Sequence, residues 1–146
     1  MKSVLIPLLL AIAAFFLGQE LAKAEDYKHL IYIEAKKQGV DPLLAISIAQ
    51  VESSMNPKAV GPVGELGLFQ LRPEYHGENV ADINHNIAEG IRYLKELQST
   101  CPLQGDYFVI CFNQGHRRHP KHPEKHPYYR KVIREREKME FAHLSY

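Results

Sequence analysis

Cysteine is scarce in this 146-residue chain, which has only Cys101 and Cys111 and no C-x-x-C pair. The count excludes a scaffold built from disulfides, and the spacing excludes a thiolate metal site. Ten residues and a Pro- and Gly-containing turn separate the two thiols. A bridge and two separate thiols, with Cys111 packed as a small apolar group, both fit that spacing. The nine Gly and nine Pro follow no fixed period, which excludes collagen, solenoid and low-complexity organisation. Charge of one sign is lacking too: the formal net charge is +1, with 45% hydrophobic and 24% charged residues. That composition excludes a disordered chain and leaves room for one globular domain.

Long apolar runs are limited to one, Val4 to Gly18, led by Met1 and Lys2 and followed by Ala22-Lys23-Ala24. This pattern predicts a secretory signal peptide over residues 1–24 with cleavage after Ala24. The run's 15 residues fall short of the roughly 20 that span a bilayer, so no stable membrane anchor is expected. Nor does a cysteine follow the run to carry a lipid. Residues 25–146 are then one exported domain, periplasmic or secreted. Their charges balance but are unevenly placed, with nine basic and three acidic residues between 116 and 138. An exported neutral protein does not point to nucleic acid, and this basic C-terminal segment fits an anionic cell-surface polymer or plain solvation.

Periodicity predicts a mainly α domain. Leu30, Ile31, Ile33 and Ala35 mark a helix over residues 27–38 that Gly39 ends. Asp41-Pro42 supplies an N-cap and a first-turn proline for a helix apolar almost all round, from Leu43 to Val51. A loop-rich segment around residues 56–80 follows, holding Gly61, Gly64 and Gly67 and at most a helical turn or small hairpin. Ile83, Ile87, Ile91, Leu94 and Leu97 predict a helix from Asp82 to Thr100, stopped at Cys101-Pro102. Asp106 is placed to cap a short apolar helix through Phe112, and residues 128–142 read as a charged final helix.

Glu52 is the anomaly, because it lies four and eight residues beyond Ile48 and Leu44 on the buried face of the core helix. Burial and the negative helix end both disfavour its ionised form, so its pKa should rise, as a general acid near neutral pH requires. A last-turn glutamate turned into solvent is the plain alternative.

The segments Glu52-Ser53 to Lys58, Gly61 to Leu71, Asn86 to Leu94, Cys111 to Gly115 and Tyr129 to Val132 occur in this order. Together they resemble the soluble lytic transglycosylase family over about residues 27–135. The resemblance implies a lysozyme-like domain and peptidoglycan as substrate, without metal or cofactor. It implies Glu52 as the single catalytic acid and later base, with Gln70, Asn113, Tyr93 and Phe112 lining the glycan cleft. A Tyr beside Leu94 in an amphipathic helix also fits a plain core residue. Gly64 and Gly67 would let backbone and Gln70 approach a sugar. The implied product is 1,6-anhydromuramoyl, formed by attack of the substrate's own C6 hydroxyl. Small exported members of the family often serve secretion, conjugation or pilus machines.

Three positions depart from the family pattern: Gly61 stands for a common Ser, Phe112 for Tyr, and Arg72 for an apolar residue. On this reading a hydroxyl near the acid is missing. A lysozyme-type hydrolase and a non-catalytic peptidoglycan-binding or assembly module are the rival readings. His116, His119, His122 and His126 alternate with Pro120, Pro123 and Pro127, which favours an extended solvated loop over a metal site.

Overall fold

A computed structural model describes residues 2–115 and 119–143 of the chain. His116, Arg117 and Arg118 therefore lie outside the described residues. The elements are α1 (Lys2–Gln38), α2 (Pro42–Ser53), α3 (Pro73–His76), α4 (Ile83–Thr100), α5 (Val109–Gln114) and α6 (Pro127–His143). Short 3-10 turns lie at Glu78–Ala81, Gly105–Phe108 and Pro123–Lys125. Among the described residues there is no strand, only the isolated bridges Val60 to Leu66 and Leu66 to Leu71. The domain is mainly α, as the periodicity predicts.

α2 starts where the sequence places it: the Asp41 side chain accepts the backbone N–H groups of Leu43 and Leu44, and Pro42 occupies the first turn. Leu44, Ala45, Ile46, Ile48 and Ala49 are buried. α1 brings Ile31 and Ala35 and α6 brings Tyr128 and Val132 to this helix, while Ile87, Ile91, Leu94 and Leu97 of α4 join the same core beside α1 and α5. Each buried Leu or Ile contributes about 1.5–3 kcal/mol, which fixes α2 as the central post of the domain.

The predicted helix at 27–38 is the end of a longer one, because α1 runs unbroken from Lys2 through the predicted cleavage site. Residues 6–23 of α1 are exposed, and packing against the core begins at Ala24 and Tyr27. By length and composition the apolar part of α1 is sufficient to cross a membrane, which fits a signal sequence or an anchor.

Asp106 does not cap α5. It sits in the 3-10 turn before that helix and pairs with Arg136 at 2.8 Å. Arg136 also holds Asp41 at 2.7 Å and Glu140 at 3.1 Å, tying α6 to the start of α2. Cys101 and Cys111 form a disulfide with Cα atoms 6.2 Å apart, fastening the end of α4 to α5. The bridge was open from spacing alone, since it depends on how the chain turns through Pro102 and Gly105.

Candidate active site

Glu52 lies in the last turn of α2, half-buried. Beyond it the chain reverses through two left-handed residues that are not glycine, Ser54 (φ 54°) and Met55 (φ 61°). Such backbone costs roughly 1–2 kcal/mol per residue and is held here by burial of Met55. The reversal ends α2 directly after the acid.

From the other side, α6 delivers Tyr128, whose hydroxyl donates to Glu52 Oε1 at 2.6 Å. Burial pushes the Glu52 carboxyl above the ordinary range; the Tyr128 hydrogen bond opposes that shift and the charge of Glu65 adds to it. Tyr128 is itself buried, and its hydroxyl is held well above the usual tyrosine range by that burial and by Glu52. The hydroxyl thought missing because of Phe112 is therefore supplied by another helix. Spacing gave no warning of Tyr128, since 76 residues separate it from Glu52. Its place beside Tyr129, at the start of a charged helix with a buried stripe, was the only signal.

Glu52 opens onto a cavity of about 430 Å³ whose lining includes Gln70, Tyr93, Phe112 and Asn113, the four residues assigned to the cleft. Glu65, Arg72 and His76 line it as well. One wall is aromatic: Phe112 meets Tyr93 at 5.5 Å and Phe69 at 6.4 Å between ring centroids, and Tyr93 meets His76 at 4.8 Å. Tyr93 thus belongs to both the core edge and the cleft. His76 is fixed by Glu89, at 2.9 Å from its Nδ1. The Arg92 hydrogen bonds to Glu89 hold that carboxyl below its ordinary range.

Gln70 takes a left-handed backbone (φ 47°) and donates its Nε2 to the carbonyls of Ala59 (3.2 Å) and Gly67 (3.0 Å). Its Oε1 lies beside Gly61, and the residue lines the cavity. The turn carrying Gln70 is held from beneath by Asn86, a buried residue of α4. Asn86 Oδ1 accepts the Phe69 N–H at 2.9 Å, and its Nδ2 donates to Leu66 at 2.9 Å and Val80 at 2.8 Å. Gly67 (φ +75°) passes so close that a Cβ there would lie 2.6 Å from Asn86 Nδ2. Gly67 therefore makes room for this amide; the expected service to a sugar is not its main use.

Gly61 has a similar role. A side chain there would collide with the Glu65 carboxylate and come within 2.7 Å of Gln70 Oε1. The absent Ser side chain is thus space taken by two cleft residues. Arg72 pairs with Glu74 and lies over the Tyr75 ring at 5.1 Å. Among the described residues no group of three or more His, Cys, Asp or Glu side chains converges as a metal site.

Among known proteins, the chain is similar to membrane-bound lytic murein transglycosylase C of Haemophilus influenzae strain PittEE, 33% identical over 115 residues, 64% of this chain and 32% of that protein. The protein of that name in Yersinia enterocolitica is 34% identical over 93 residues, 53% of this chain and 26% of the relative. In Actinobacillus pleuropneumoniae serotype 5b it is 36% identical over 63 residues, 43% and 17% of the two chains. The chain thus spans about a third or less of the length of these relatives. The model of the transglycosylase SLT domain matches residues 29–131, from the second half of α1 into α6 and across every cleft residue described above. The chain belongs to the transglycosylase SLT domain family.

Proposed function

We propose that this chain is a peptidoglycan lytic transglycosylase that cleaves the β-1,4 bond between N-acetylmuramic acid and N-acetylglucosamine and leaves a 1,6-anhydromuramoyl end. The observation that carries this reading is the half-buried Glu52, its carboxyl pushed above the ordinary range by burial, at the wall of a cleft lined by amide and aromatic side chains. Sugar rings are bound by such a mixture, with amides matching hydroxyls and N-acetyl groups and aromatic faces covering the apolar ring face.

Glu52 in its protonated form donates to the leaving glycosidic oxygen as the bond to the anomeric carbon breaks. The carboxylate so formed takes the proton of the muramoyl C6 hydroxyl, whose oxygen closes onto the anomeric carbon. Tyr128 holds Oε1 throughout, so Oε2 is the atom that exchanges the proton. Gln70 Oε1 and Asn113 are the polar contacts for the glycan, and Tyr93 with Phe112 forms its apolar wall. The reaction calls for no cofactor.

The relatives' names and the apolar start of α1 support an exported enzyme acting at the cell wall; the sequence pattern at Ala22-Lys23-Ala24 is what speaks for removal of the signal after Ala24. Glycan strands are the partner this reading requires; a secretion, conjugation or pilus machine is the setting in which a small exported member of the family would work. The test is incubation of the purified mature domain with sacculi, followed by mass spectrometry of the released muropeptides. Anhydro ends that vanish with Glu52→Gln are the expected result. Reducing ends would establish a hydrolase, and sedimentation with sacculi without any release would establish a binding module.

A further inference from the structure

Glu65 is a second carboxylate on the cavity that Glu52 opens onto. It sits on the turn between the two bridges of Leu66 and the Gly61 loop, where its backbone carbonyl accepts the Gly61 N–H at 2.8 Å. Its side chain folds back so that Oε2 accepts the N–H of Val63 at 3.0 Å. That fold is possible because position 61 has no side chain: a Cβ there would occupy the place of the Glu65 carboxylate. One oxygen is thus fixed by backbone and one glycine is spent on clearance, and the carboxylate is half-buried at the cleft wall. Among the described residues no Lys, Arg or His pairs with it.

We infer that Glu65 is the counter-charge of the reaction, the carboxylate that stabilises the cationic anomeric carbon as Glu52 protonates the leaving oxygen. The inference rests on the glycan-cleavage reading and deepens it. When the bond to the leaving oxygen breaks, its electron pair stays with that oxygen and is neutralised by the Glu52 proton, so the positive charge resides on the anomeric carbon and ring oxygen. An ionised carboxylate held in a partly dry cleft lowers the energy of that charge without forming a bond. Glu65 takes no proton in this step. The C6 hydroxyl, or a water, then adds its oxygen to the anomeric carbon and gives its proton to Glu52. Two carboxylates thus divide the work, Glu52 moving protons and Glu65 supplying fixed charge. The closeness of Glu65 also helps to keep the Glu52 proton in place before the reaction.

Glu65→Gln removes the charge but keeps an oxygen to accept the Val63 N–H, whereas Glu65→Asp keeps the charge on a shorter arm. Both variants are compared with the parent for kcat and KM on soluble muropeptides, for sacculus binding and for thermal unfolding. The groups around Glu52 are Tyr128 of α6, Tyr93 of α4, Glu65, Arg72 and His76 on the cleft, and His126 and Lys131 on its other side. Only Glu65 differs between parent and variant, so a change in the pH profile reports on it. Glu65→Gln should lower kcat by about 10²-fold, keep KM within about 3-fold, and move the high-pH limb of kcat to lower pH. Glu65→Asp should retain more activity than Gln. Glu65→Gln that keeps at least a third of the parent kcat, or exceeds Glu65→Asp, overturns the inference and leaves a loop-holding role. Parent-like release by Glu52→Gln would instead overturn the glycan-cleavage reading itself.

Discussion

At Glu52 two opposed influences meet. Burial and the charge of Glu65 favour the protonated form, and the Tyr128 hydroxyl favours the ionised one. In the proposed reaction an acid that must first give and then regain a proton needs both, because a carboxyl that is too weak would not donate and one too strong would not take the C6 proton. Tyr128→Phe should therefore raise the Glu52 pKa further, moving the high-pH limb of kcat upward and lowering turnover about 10-fold through a looser carboxylate; a pH–rate profile checks both. Stability carries the same sign. A carboxyl raised in the folded state contributes stability that is present below its unfolded pKa and lost as pH rises through the folded one. Glu52→Gln removes that loss, so thermal unfolding of variant and parent should coincide near pH 4 and diverge in favour of the variant by pH 7. Gly61→Ser, which the family pattern would suggest as a repair, should instead displace Glu65 and Gln70 and lower kcat; higher kcat in a folded variant would show the cleft accommodates the hydroxyl. Glu52 was legible from its place on the apolar face of α2. Tyr128, Glu65 and the reason for Gly61 were not, since each depends on which loop or helix crosses the cleft, and no spacing within one element encodes that.

Elements were more legible than their junctions. Asp41-Pro42 and Asp82 named the starts of α2 and α4 because a short acidic side chain satisfies first-turn N–H groups locally, and both do so here. Asp106 had the same local credentials but is claimed by Arg136, a tertiary partner thirty residues away. Asn86 likewise reads as an ordinary polar residue on a helix, yet it is the peg on which the cleft turn hangs. Asn86→Ala would take the amide from the buried Phe69 N–H and the Val80 carbonyl, while the Leu66 carbonyl would keep the Leu71 N–H. At roughly 1–3 kcal/mol for each buried group left unsatisfied, the cost should be at least about 2 kcal/mol in chemical denaturation, with lost activity because Gln70 moves. The disulfide works on a neighbouring junction. Closing ten residues restricts the unfolded chain by about 2.5–3 kcal/mol, so reduction, or Cys101→Ser with Cys111→Ser, should lower the melting temperature by several degrees. Since α5 also carries Phe112 and Asn113, the cleft should loosen before the core does.

Across the whole molecule the charges separate from the chemistry. The cleft is built by α2, α4, α5 and the 59–76 segment, with Tyr128 reaching Glu52 from α6, while Lys121, Lys125 and Arg130 are exposed and do not line the cavity. On the proposed function the substrate, peptidoglycan, carries peptide carboxylates, so this basic surface should raise the local concentration of enzyme on the polymer without touching the reacting bond. Exposed charges act with a reach of about 8 Å at physiological salt, which makes the effect one of encounter and attachment, erased by added salt. Replacing Lys121, Lys125 and Arg130 by Gln should weaken sedimentation with sacculi several-fold at low ionic strength and leave it unchanged near 1 M salt. Cleavage of a short uncharged glycan should match the parent at both salt concentrations, because neither Glu52 nor Glu65 is disturbed. Equal sacculus binding by variant and parent at low salt would show that these cations only solvate the surface, and that the polymer is held by the cleft alone.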